Sequence, residues 1–143
     1  MHAIDNLQEL SEIGRLLRQS RSIAIVGLSP KESRPSNMVG RYLLDAGYTI
    51  FPVNPGQEIL LGRQCYPDLA ALPEQVDIVD IFRKSEDIPE VVEQILALPQ
   101  LPRAIWMQQG IVHEEAANRA RMRGVMVIMD RCIKIDHRNL LGT

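Results

Sequence analysis

A chain of 143 residues with 45% hydrophobic and 24% charged residues and a net charge of −2 has the composition of one globular domain with one core, not of a disordered segment. So slight a charge gives no broad attraction to nucleic acid or to an anionic membrane, and an anionic ligand has to be held by a few local donors. The start lacks the basic and apolar regions of a secretion signal, no apolar run approaches the ~18 residues needed to span a bilayer, and Cys65 and Cys132 form no C-x-x-C pair, which together point to a cytoplasmic protein with reduced thiols.

The elements alternate. Asp5 to Gln19 carries Leu7, Leu10, Ile13, Leu16 and Leu17 at helical spacing, which predicts an amphipathic N-terminal helix. Short apolar runs at Ser22 to Val26, Thr49 to Val53, Asp77 to Phe82, Ala104 to Met107 and Val125 to Met129 predict strands buried on both faces. Helices are expected between them at about Ser36 to Ala46, Ile88 to Leu98 and Glu114 to Arg123, with Gly47 and Gly124 at two helix ends. Alternating strands and helices predict a Rossmann-like, doubly wound α/β fold in a single domain over residues 1–143. The expected strand order is 3-2-1-4-5, with a crevice between the loops after Val26 and after Met107.

The turn after the first strand reads GLSPKESRPSN, Gly27 to Asn37, with hydroxyls and one arginine where dinucleotide-binding turns carry further glycines. Pro35 suits a first helical turn, and Ser33 or Ser36 could cap that helix. The open N–H groups and positive dipole end form an anion site to which Arg34 adds a forked donor, although a plain capped helix start gives the same pattern. After the second strand, Asn54 falls between Pro52 and Pro55, where an acidic residue would grip the ribose hydroxyls of NAD. A neutral amide there accommodates a ribose phosphate, or the two prolines simply make a rigid turn. Phe82, Arg83 and Lys84 end the third strand, suited to an adenine or phosphate or else to solvent. Gln108, Gln109 and Gly110 follow the fourth, and Gly110 permits close backbone approach. The fifth closes in MDRCIKIDH, where Arg131 and Lys134 could activate Cys132 and His113 or His137 could pair with it, unless the thiol is core filling. No catalytic set or metal-ligand spacing can be assembled.

Together, VGLSPKESRPSNMVGRYLLDAGYTIFPVNPG, VDIVDIFRKSED, IWMQQGI and MDRCIKI resemble the small stand-alone CoA-binding domain proteins, which are similar to the N-terminal CoA-binding domain of the succinyl-CoA synthetase alpha subunit. The resemblance spans roughly residues 20–140. It implies coenzyme A as the cofactor, with the pyrophosphate by Gly27, Ser29, Arg34, Ser36 and Asn37. It further implies the ribose end at Val53, Asn54 and Pro55, the adenine side at Phe82 and Arg83, and the pantetheine arm at Gln108, Gly110 and Ile111, with Cys132 close to the thiol. The second domain of the synthetase subunit, with its phosphorylated histidine, is not in this sequence, so ligase activity by this chain alone is not expected. The expected function is therefore CoA or acyl-CoA binding without catalysis, with a protein partner or a homo-oligomer left open. The alternatives are an NADP-linked reductase, for which no proton donor stands out, or an acyl-CoA enzyme using Cys132.

Overall fold

Ile23 and Ile25 point to one face of the first strand and Ala24 and Val26 to the other, and all four are buried. That double burial is why the strand reads as a continuous apolar run. A computed structural model describes residues 3–142. In chain order these form α1 (Ala3–Gln19), β1 (Ser22–Val26), α2 (Pro35–Asp45), β2 (Thr49–Val53), β3 (Ile59–Leu60), β4 (Arg63–Gln64), β5 (Ile78–Ile81), α3 (Ile88–Leu96), β6 (Ala104–Met107), α4 (Glu114–Met122), β7 (Met126–Ile128) and α5 (Ile133–Leu140). Gly47 and Gly124 follow α2 and α4 with φ of 101° and 82°, the left-handed residues expected there.

The main sheet is parallel throughout, in the order β2-β1-β5-β6-β7. A parallel bridge joins Val53 to Tyr66 outside β2, held by Tyr66 N–H to the Pro52 carbonyl and Asn54 N–H to the Tyr66 carbonyl, each 2.9 Å. With that bridge as a vestigial outer strand, the sheet shows the Rossmann-like 3-2-1-4-5 pattern, continued by one more strand. The occupants shift accordingly. Asp77–Phe82, expected outside β2, contributes β5 and lies beside β1, because the short segment through Tyr66 already covers the β2 edge. The β3–β4 hairpin in that segment has no sequence counterpart among the expected elements.

Helices α1, α2 and α5 cover the face of Ile23 and Ile25, and α3 and α4 cover that of Ala24 and Val26. The α3 stripe of Ile88, Val91, Val92, Ile95 and Leu96 is buried, as its spacing requires. The chain thus winds one way from β1 through α2 and the other way from β5 through α3 and α4. This reversal sets the switch point between β1 and β5, where open α/β sheets leave a crevice at the carboxyl ends.

One core residue breaks the pattern. Asp80 lies in register between Ile25 of β1 and Trp106 of β6, is fully buried, and neither carboxylate oxygen has a hydrogen-bond partner among the described residues. Burial pushes its carboxyl well above the ordinary value of 3.8, because the charged form loses its solvation. The unfolded chain ionises Asp80 above that ordinary value while the folded chain does not. Stability therefore falls as pH rises from about 4 towards the raised folded value. Asp80→Asn should remove this loss: its urea midpoint should gain on wild type as pH rises above about 4, until the folded carboxyl itself ionises. A constant gap between the two proteins across that range would show that Asp80 titrates alike folded and unfolded.

Candidate functional site

Gly27 begins the crevice. Its φ is 85°, and a Cβ placed on it would lie 2.4 Å from the Phe82 carbonyl oxygen and 3.2 Å from Arg83 Cδ. Only glycine allows the loops after β1 and β5 to meet so closely. The neighbour of the Gly27 turn is thus the Phe82–Arg83 loop, whereas the expected neighbour after Met107 stands one strand further along.

The polar residues of the Gly27–Asn37 turn largely bind one another. Ser29 N–H donates to Ser36 Oγ at 2.9 Å, and Lys31 N–H donates to Ser29 Oγ at 3.1 Å. Asn37 Nδ2 donates to the Ser29 carbonyl, while its Oδ1 accepts from Arg41 Nε, both at 2.9 Å. Ser36 and Asn37 are consequently buried. Arg34, not a serine, is the N-cap residue of α2; neither Ser33 nor Ser36 caps it, because the Ser36 hydroxyl is spent on Ser29. Around this braced turn, Gly27, Ser29, Arg34, Pro35, Ser36 and Phe82, with Pro30 and Lys31, line an open depression of about 330 Å³. The exposed Lys31 and Arg34 have no ion-pair partner among the described residues. With the amino end of α2, where Ser36 N–H has no partner among the described residues, they give the depression a positive mouth.

Asn54 has a structural task that its sequence position did not reveal. Its Nδ2 donates to the Leu28 carbonyl and its Oδ1 accepts from Gly56 N–H, each at 2.9 Å. The amide ties the β2 loop to the β1 loop across the sheet top. Val53 is buried and Pro55 exposed beside it. Both join Val26, Leu69, Val91 and Arg83 around a smaller depression of about 180 Å³ with an apolar floor and a charged rim. Arg83 Nη2 approaches Asp87 Oδ2 at 3.5 Å there. The contributions of Lys31, Leu69 and Asp87 were not anticipated. Lys31 lay within the quoted turn, but Leu69 belongs to an irregular segment with no periodicity to place it.

Gln108, Gly110, Ile111 and Cys132 gather at the far end, over β6 and β7. Gln108 is buried, and its Oε1 accepts from Ile133 N–H at the start of α5, 3.3 Å away. Gly110 N–H donates to Asp130 Oδ1 at 2.7 Å, Ile111 N–H to the Gln108 carbonyl at 2.9 Å, and Val112 N–H to Ser85 Oγ at 3.1 Å. The half-buried Cys132 is the N-cap residue of α5, a helix absent from the expected elements. Its suggested activators are engaged elsewhere. Arg131 forks onto Asp136 at 2.7 and 2.9 Å and reaches Glu9 at 3.6 Å. Lys134 Nζ lies 5.8 Å from the centre of the Tyr42 ring. His113 caps α4 through Ala116 N–H, and His137 bonds the Tyr42 hydroxyl at 2.8 Å, its pKa lowered by burial. Cys65 is buried at the opposite end, 3.5 Å from the Asn54 carbonyl, and burial raises its pKa.

A larger cavity of about 450 Å³, lined by Leu72, Val76, Leu98 and neighbours, opens at the amino ends of the strands. It holds none of the residues above. Among the described residues no group of three His, Cys, Asp or Glu side chains is placed to hold a metal, and no helix is long and apolar enough to cross a membrane.

The family profile described as a CoA binding domain matches residues 21–138. The uncharacterized protein YneT of Bacillus subtilis (strain 168) is 43% identical over 127 residues, which cover 89% of this chain and 93% of that protein. A solved structure of a hypothetical protein from Pyrococcus horikoshii OT3 superimposes with a TM-score of 0.88 at 37% identity, covering 93% of this chain and 92% of the other. The ADP-forming acetate–CoA ligase I of Archaeoglobus fulgidus is 33% identical over 72 residues, 50% of this chain but 10% of the ligase. The expected likeness to succinyl-CoA synthetase is met in part, by an ADP-forming acetate–CoA ligase.

Asn54→Asp tests the bracing of the crevice. A carboxylate cannot donate to the Leu28 carbonyl and leaves that acceptor facing a negative charge. The variant should lose about 1–3 kcal/mol of stability by denaturant unfolding, the cost of a broken and unsatisfied bond. Unchanged stability would place the Asn54 amide in solvent.

Proposed function

We propose, because this chain belongs to the CoA-binding domain family, that it binds CoA or an acyl-CoA across the carboxyl ends of its strands and performs no chemistry of its own. One observation carries this reading: the residues singled out in sequence stand in one row across the carboxyl ends of the sheet, long enough for an extended, two-ended ligand. Val53, Asn54 and Pro55 follow β2, Gly27 to Asn37 follow β1, Phe82 and Arg83 follow β5, Gln108 to Ile111 follow β6, and Cys132 follows β7. At about 4.8 Å per strand, the four steps from β2 to β7 span roughly 19 Å. An adenosine phosphate alone is too short for that row, whereas a nucleotide with a pantetheine arm can follow it.

In this reading the pyrophosphate sits at the α2 end. There Gly27 lets the ligand approach, Arg34 and Lys31 supply charge, and Ser29, Ser36 and Asn37 hold the turn in shape. The depression of Val53, Pro55 and Arg83, whose rim also carries Asp68, Asp87 and Glu90, receives the adenosine end, with Phe82 and Arg83 on the adenine side. The arm runs from the pyrophosphate towards Gln108, Gly110 and Ile111 and brings its thiol near Cys132. Asn54 serves this site by fixing its floor. The engagement of His113, His137, Arg131 and Lys134 in structural contacts supports binding over a cysteine-based acyl transfer. A cytoplasmic location suits a CoA ligand.

Calorimetry with CoA, dephospho-CoA, NAD and NADP tests the assignment. CoA should bind most tightly, and Arg34→Ala should weaken it by about 1.5–3 kcal/mol, the worth of a bond to a charged group, with unchanged melting. Tighter binding of NADP than of CoA would overturn the assignment. An Arg34→Ala variant with the wild-type dissociation constant would remove Arg34 from the site.

A further inference from the structure

Asp130 is exposed and has a φ of 59°, in the left-handed region that residues with a Cβ seldom enter. The angle falls in the bend that carries the chain from β7 into α5. Its effect is to turn the carboxylate back so that Oδ1 takes the Gly110 N–H at 2.7 Å. The same corner is tied three more times: Arg131 N–H to the Met107 carbonyl at 3.4 Å, Trp106 Nε1 to the Arg131 carbonyl at 2.8 Å, and Ile133 N–H to Gln108 Oε1 at 3.3 Å. Those three bonds join β6 to the start of α5, at or below the level of the strands. Asp130 alone of this set reaches out to the glycine at the loop tip, itself at φ 82°. An unfavourable backbone angle kept at an exposed position, in order to fix a loop at a ligand crevice, is the pattern of a pre-organised clamp.

We propose that Asp130 is a positioning residue of the site: it holds the Gln108–Ile111 loop and Cys132 open in the geometry that receives the thiol-bearing arm, and so favours ligands that have one. The inference rests on the CoA reading above. Asp130 itself touches no ligand. It acts by sparing the loop an ordering cost at the moment of binding, an effect confined to the arm.

The decisive measurement compares CoA with its armless nucleotide half, adenosine 3′-phosphate 5′-diphosphate, on the full chain carrying Asp130→Gly, Asp130→Asn or neither. Glycine adopts the left-handed angle freely, so Asp130→Gly keeps the backbone and loses only the carboxylate. Asp130→Gly should weaken CoA about three- to tenfold, as expected for ordering a few freed groups, and leave the armless nucleotide within a factor of about two. Asp130→Asn, which keeps an acceptor oxygen, should restore most of the CoA affinity. Equal losses for both ligands, or wild-type CoA affinity in Asp130→Gly, would overturn the positioning role while CoA binding by the wild type stands. Failure of the wild type to bind CoA at all would instead remove the reading beneath it.

Discussion

The close approach of Gly27 to the Phe82 carbonyl governs the upper surface of this molecule. Two parallel strands about 4.8 Å apart leave no room for a side chain where their loops turn towards each other. The 2.4 Å that a Cβ would find at Gly27 measures that crowding. The loop after β1 must therefore leave the sheet backbone-first at Gly27 before it enters α2. The loop after β5 takes the other side, carrying Phe82 and Arg83 to the same rim. The division of helices between the two faces of the sheet has its local expression in this one contact.

A turn shaped by backbone crowding needs bracing, and its side chains supply it. Ser29, Ser36 and Asn37 form a closed set of bonds with the backbone of the turn, extended by Arg41 to the Glu32 carbonyl at 2.8 Å. Asn54 adds the link to the β2 loop. Glycine-rich turns expose their amides to phosphates directly; here hydroxyls and amides hold the frame while Lys31, Arg34 and the helix end provide the charge. The two designs reach a similar electrostatic result by different division of labour.

Much of this was legible in the sequence because burial on both faces erases alternation. SIAIV, TIFPV and AIWM read as strands for the reason that both of their faces are buried. The place of Asp77–Phe82 was not legible, since strand order depends on what caps the β2 edge, and the capping segment reduces to a single bridge at Tyr66. Helix α5 was hidden as well. It starts at Cys132 without a side-chain cap, directly after a bend at Asp130, so no start signal precedes it. The bracing role of Asn54 was not legible either: sequence can show that an amide stands after β2, not that it ties the Leu28 carbonyl and the Gly56 N–H together. Asp80 was passed over because one polar letter does not disturb an apolar run.

The Tyr66 bridge and the β3–β4 hairpin also change the outer boundary of the sheet. They lie over the free side of β2, where Leu61 at the hairpin bend packs against Gly40 of α2. Unpaired strand edges are templates for unwanted pairing with other chains, and proteins blunt them by covering or shortening. This fold uses both remedies, one at each end: a covering hairpin beside β2, and a terminal strand of three residues, Met126–Ile128, at the other margin. The row of loops at the carboxyl ends is thus carried on a sheet that offers its own kind very little to copy.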